Sequence, residues 1–269
     1  MSYPVMLGAV VLTSSNNVLR FTEGALATAN ATIAPNTYYL RGDGAAGDLC
    51  LAVKNAMEAA NAGSANTYTV TVAWSIDPAI AGARITITRA TGADNFGVLW
   101  ADAATTFDET LLGFSANDAV NATAKTSTKS CAATWVCNDV AREIEPFSER
   151  VVAVPRAVSG RVQGVTRSAR MQSWRLGLAF VDERRTFVEH ALAGPQDTLE
   201  GFLERFGAGA SLELHEAQVS SGTTLAALSS STLVDVVHFS EETLTTYEPT
   251  RLGPGVPLYS LDLRLHGKV

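Results

Sequence analysis

Thr67-Tyr68-Thr69-Val70-Thr71-Val72-Ala73-Trp74 is the stretch that decides the fold class. Tyr68, Val70, Val72 and Trp74 alternate with Thr67, Thr69, Thr71 and Ala73, so one face is apolar and the other carries small, mostly hydroxylated side chains. A period of two in β-branched and aromatic residues predicts a half-buried strand. Arg84-Ile85-Thr86-Ile87-Thr88 repeats the pattern, and Asp77, Pro78 and Gly82 between the runs supply turn chemistry, so the two predict a hairpin. Alternation with one wet face indicates antiparallel pairing, because buried parallel strands read as continuous aliphatic runs.

Outward from this hairpin, residues 17–22, 29–34 and 96–100 are further strand candidates. Leu49, Val53, Ala56, Met57 and Ala60 recur at helical spacing and predict one amphipathic helix. The C-terminal half uses the same recipe. Trp174, Leu176, Leu178 and Phe180 alternate with Ser173, Arg175, Gly177 and Ala179, and Leu261, Leu263 and Leu265 alternate with polar residues. Leu212 and Leu214 alternate with Glu213 and His215. A second helix is expected at about Thr198–Phe206, with Leu199, Phe202, Leu203 and Phe206 as its buried stripe, Asp197 and Glu200 as a capping-box-like pair, and Gly207 closing its end. The small polar stretch 115–130 lacks apolar periodicity and predicts a linker. The expectation is a β-rich α+β fold of two antiparallel-sheet domains, barrel- or sandwich-like, each with one packed helix. The boundaries are residues 1–115 with a helix at about 47–61, a linker over 116–130, and residues 131–269 with a helix at about 198–206.

Composition narrows function by subtraction. The chain has 269 residues, 46% hydrophobic and 17% charged, which is a folding composition and not that of a disordered chain. Twenty-seven acidic against 20 basic side chains give a net charge of −7, which argues against a cationic nucleic-acid coat. The N-terminal apolar run lacks a basic flank and contains Pro4, so no signal peptide is read there, and no window predicts a membrane anchor. Cys50, Cys131 and Cys137 match no zinc spacing and read as packing residues.

Gly42-Asp43-Gly44-Ala45-Ala46-Gly47 matches G-x-G-x-x-G between a strand-like segment and a helix, the local context of a dinucleotide loop. Against that reading, Thr37 and Arg41 interrupt the preceding strand, Asp43 puts a negative charge in the loop, and no acid ends the strand at Trp74. A turn with Asp43 or Asp48 capping the helix is the preferred reading, and no cofactor is expected. Arg41-Gly42-Asp43 also spells the adhesion tripeptide RGD, a match short enough to arise by chance. His190, His215, His238 and His266 are scattered; His215 and His266 fall on the polar phase of their strands and are expected to be exposed. Asp108-Glu109 and Glu241-Glu242 are adjacent carboxylates, which splay apart and suit paired acid–base work poorly. No catalytic or metal-ligating set emerges.

Arg150, Arg156, Arg161, Arg167, Arg170 and Arg175 form an arginine-only stretch with no acid between Glu149 and Asp182. Planar guanidinium groups suit bidentate pairing with carboxylates, so these six are candidates for a subunit interface with an acidic neighbour, or else for a solvated face. Little aromatic interleaving accompanies them, which disfavours nucleic acid as a partner.

Thr37-Tyr-Tyr-Leu-Arg-Gly-Asp-Gly44 followed by a helix, Tyr68-Thr-Val-Thr-Val72 leading to Ile85-Thr-Ile-Thr88, then Phe96-Gly-Val-Leu-Trp100, Leu111-Leu-Gly-Phe114 and Trp135 resemble, in that order, tail-associated virion proteins of tailed bacteriophages. Trp174-Arg-Leu-Gly-Leu-Ala-Phe180, Thr198-Leu-Glu-Gly-Phe202, Gly207 and the strand at Leu212 resemble distal-tail or baseplate proteins more loosely. The resemblance implies a non-enzymatic structural protein of the virion tail, made in the bacterial host cytoplasm. It further implies a homo-oligomer, a ring in particular, and contacts with other tail or baseplate proteins. A carbohydrate- or receptor-binding virion appendage is the alternative, with Tyr38, Tyr39, Trp74 and Trp100 as its candidate aromatics. A nucleotide-binding enzyme using Gly42–Gly47 stands last.

Overall fold

The computed structural model describes residues 2–24, 28–60, 66–77, 82–92, 94–115, 122–136, 142–149, 152–153, 166–167, 171–182, 198–207, 210–239, 247–250 and 258–267. The hairpin forms as its alternation requires: Thr67–Ser75 pairs antiparallel with Gly82–Thr91, placing Val70 opposite Ile87 and Val72 opposite Ile85 on the inner face. Thr69 faces Thr88 and Thr71 faces Thr86 on the outer one. Tyr68, deep in the core, packs edge-on against Phe21 and Phe96, and its hydroxyl donates to the buried Glu23 carboxylate.

The fold is β-rich α+β, with antiparallel sheets and, among the described residues, two α-helices. A twelve-stranded sheet runs, in order, through Arg142–Glu149, Met171–Asp182, Leu258–Gly267, Leu233–Phe239, Leu212–Ser221, Thr224–Leu225, Thr67–Ser75, Gly82–Thr91 and Ala124–Thr126. Ser2–Gly8 joins it beside Leu212–Ser221 and carries Thr134–Val136 on its other side, while Tyr247–Thr250 pairs with Leu258–Gly267. Strands 18–23, 29–32 and 96–98 form a smaller sheet, and strands 10–12 and 36–38 a two-stranded one. The C-terminal strand pairs in register with Met171–Asp182, Leu265 opposite Trp174, Leu263 opposite Leu176 and Leu261 opposite Leu178.

The main sheet therefore draws strands from both ends of the chain, and one hydrophobic cluster runs from Val5 through Trp74 and Trp135 to Leu214 and Leu265. The segment expected to be a linker contributes Ala124–Thr126 to the sheet; residues 116–121 lie outside the described set. Ser2–Gly8, an apolar run with no alternation, is almost wholly buried, as a central strand must be. Pro4, which lacks an N–H, stands just beyond the end of the pairing with Thr134–Val136.

Helix α1 (Leu49–Ala60) buries Leu49, Cys50, Val53, Ala56 and Met57 and packs on strands 29–32 and 67–75. Helix α2 (Leu199–Arg205) buries Leu199, Phe202 and Leu203. Its N-cap is Thr198, whose hydroxyl accepts the Gly201 N–H, and Asp197 of the expected capping pair lies outside the described residues. The ring of Phe206 lies against Gly8, where a Cβ would come within 2.4 Å of Phe206 Cε1, so the absence of a side chain at Gly8 lets the helix end sit on the first strand.

Candidate functional site

The loop with the G-x-G-x-x-G spacing is the natural place to look for a bound anion, because its backbone N–H groups would form the cradle. Those donors already have an acceptor. Asp48, 2% exposed at the start of α1, takes the Gly42 N–H (3.1 Å) and the Cys50 N–H (3.1 Å) on Oδ1 and the Gly44 N–H (2.9 Å) on Oδ2. Asp43 Oδ1 accepts the Ala45 N–H at 3.0 Å. Asp48 is thus both helix cap and internal anion, and the loop closes on the chain's own carboxylate. Gly42 has a positive φ of 75°, and a Cβ on it would sit 2.7 Å from Val72 Cγ2, so glycine is needed there for conformation and for close approach to the hairpin.

The same loop carries Arg41 into the protein. Its Nε donates to Glu213 Oε2 at 2.8 Å and its Nη2 to Glu213 Oε1 at 2.9 Å, a two-pronged pair in which the Glu213 side chain is only 5% exposed. The guanidinium also stacks over the Tyr39 ring at 5.6 Å, and the Tyr39 hydroxyl donates to Ser211 Oγ at 3.1 Å. Asp43 stands behind it, 4.0 Å from Nη1. His215 is fully buried on the same face as Glu213, with Nε2 3.1 Å from Glu213 Oε2 and Nδ1 3.1 Å from Thr232 Oγ1. Burial pushes the Glu213 carboxyl up, but its hydrogen bonds from His215 and Arg41 and their nearby charge outweigh that and hold it below the usual carboxylate range.

No family model, curated protein or solved structure matches the chain.

The structure therefore sorts the sequence candidates on geometry alone. His215 is corrected from exposed to buried: Glu213 and His215 do share the polar phase of their strand, but the Arg41 loop lies on that face and closes it. The side chain of His266 lies outside the described set, as do His190 and Glu241-Glu242. Asp108 caps the short turn Glu109–Leu112 through the Thr110 N–H and takes Arg205 Nη1 at 2.9 Å. Tyr38, Trp74 and Trp100 are buried, which removes three of the four aromatics offered for a glycan surface. Cys50 and Cys131 are buried free thiols, and burial first of all pushes the Cys50 thiol well up. Among the described residues, no cluster of three or more His, Cys, Asp or Glu is placed to hold a metal.

Of the six arginines, Arg150, Arg156, Arg161 and Arg170 lie outside the described residues, and Arg167 is described only by its backbone pairing with Val152. Arg175 stands in register between Glu145 on one neighbouring strand and Arg264 on the other.

Proposed function

We propose that the chain is a non-enzymatic structural component of a bacteriophage tail, at the tail tip, distal ring or baseplate, and that it works through subunit contacts. The observation that carries this reading is where the polar chemistry goes. The most site-like loop is filled by Asp48, and Arg41, Glu213 and His215 satisfy one another across 172 positions of chain. Those groups hold a β framework together, and a framework is what a virion building block needs. The residues that resemble tail proteins supply its elements: the Arg41 loop, the hairpin of Thr67–Ser75 with Gly82–Thr91, and the strand Phe96–Val98. The Arg150–Arg175 stretch is the proposed contact with an acidic neighbouring subunit.

The test is the protein's copy number and position in purified particles, with light scattering of the isolated chain. Multiple copies at one station of the tail, with self-association, support the reading. A strictly monomeric protein missing from particles overturns it.

A further inference from the structure

Among the described residues, the hydrogen bonds around His215 leave one proton with two places to go. Glu213, held ionised by two Arg41 hydrogen bonds, offers only acceptor oxygens, so His215 Nε2, 3.1 Å from Oε2, must carry a proton. Nδ1 faces Thr232 Oγ1 at 3.1 Å, and that hydroxyl has a second acceptor within reach, the Ser229 carbonyl at 2.9 Å. A hydroxyl has one proton to give. With a neutral ring, Thr232 donates to Nδ1. With an imidazolium, Nδ1–H donates to Thr232, and the hydroxyl proton must turn to Ser229 O. Both arrangements satisfy both ring nitrogens, so neither state leaves a buried polar atom unpaired.

We propose that His215 and Thr232 form a proton-operated latch in which the charge state of the ring sets the direction of the Thr232 hydroxyl. Proton uptake adds a second cation to Glu213 and a third bond to the Ser229–Thr232 turn, which already closes through Thr232 N–H to Ser229 O at 3.1 Å and Ser229 N–H to Thr232 Oγ1 at 2.9 Å. The latch thus ties together the loop that carries Arg41, the strand Leu212–Ser221 and the turn leading into Leu233–Phe239.

Among the described residues, the charges facing His215 are few. Its own strand presents Glu213, and the loop over it presents Arg41, with Asp43 and Asp48 bearing on that guanidinium from behind. The neighbouring strand Ser2–Gly8 sets Val5 opposite His215 and Leu7 opposite Glu213. On the other side stand Leu233 and Val236, while Asp235 pairs with Leu214 and accepts the Trp174 indole N–H instead.

The experiment is a pH titration of the full chain by NMR with labelled histidine rings and labelled carbonyls, between about pH 5 and 9, the range in which imidazole ordinarily changes charge. The expected result is that His215 Nε2 stays protonated throughout, Nδ1 gains its proton towards acid, and the Ser229 carbonyl resonance shifts with the same midpoint. In Thr232→Val that Ser229 shift is lost, and the wild-type titration stands as the test should the variant not fold. A ring fixed in one state across the range, a neutral tautomer with its proton on Nδ1, or a Ser229 carbonyl indifferent to the titration overturns the latch.

Discussion

Arg41 and Glu213, 172 positions apart, meet through two parallel hydrogen bonds of 2.8 and 2.9 Å, at the edge of a strand that also pairs with the N-terminal residues Ser2–Gly8. The pair fixes a loop of the N-terminal half to a strand of the C-terminal half at a buried position. Planar arginine suits this better than lysine, because both carboxylate oxygens are engaged at once.

Arg41→Ala leaves the Glu213 carboxylate buried beside His215 without its main partner. Removing one member of a buried pair costs about 3–5 kcal/mol, so denaturant unfolding of this variant should show a loss of about 3 kcal/mol, Arg41 itself being slightly exposed. The double variant Arg41→Met, Glu213→Leu is expected to recover more than half of that loss, because it removes both charges together. A double variant as unstable as the single would show that the pair contributes through something other than charge burial.

Acid should weaken the fold through the same residue. The folded-state Glu213 carboxyl is held low, and so is that of Asp108, where hydrogen bonds from Thr110 and Arg205 outweigh the upward push of burial. A carboxyl with a depressed folded pKa adds stability that is present above its unfolded value, about 4, and is lost as pH falls through the folded one. Thermal melting across pH 2 to 7 (about the range in which carboxyls titrate) should therefore show stability falling below about pH 4. In Arg41→Ala and in Arg205→Ala that acid limb should be shallower than in the wild type.

At the first strand, Gly8→Ala puts a methyl group 2.4 Å from the Phe206 ring. The backbone there has no positive φ, so the expected loss of about 1–3 kcal/mol is steric alone. Phe206→Leu in the same chain should restore part of it, whereas a backbone effect would not respond to the partner. Equilibrium unfolding of the two single variants and the double decides between them.

Asp48→Ala removes a helix cap and the acceptor of two loop N–H groups, and should cost about 1–2 kcal/mol. Asp48→Asn keeps one acceptor oxygen and should lose less. Since Asp48 occupies the loop donors, wild-type protein should show no thermal shift with NAD, FAD or ATP. A clear shift would mean that the loop opens to a phosphate after all.

The local pattern of the sequence determined the hairpin, the antiparallel class and both helices. Alternation such as Tyr68-x-Val70-x-Val72 can bury its side chains in only one way, and the i, i+4, i+7 spacing of Leu49, Val53 and Ala56 has the helical period. Even the closure of the Gly42–Gly47 loop was within reach, because Asp48 lies in the same turn and Asp43 made an anion site implausible. Ser2–Gly8 carried a readable signal as a continuous apolar run, but an apolar run does not name its partners, and those are Thr134–Val136 and Leu212–Ser221. His215 shows most plainly what only the tertiary structure decided. Period two correctly put it on the polar side of its strand with Glu213. Whether that side meets water depended on where a loop 172 residues earlier came to rest, and Arg41 brought the loop there because a carboxylate leaving water needs a cation.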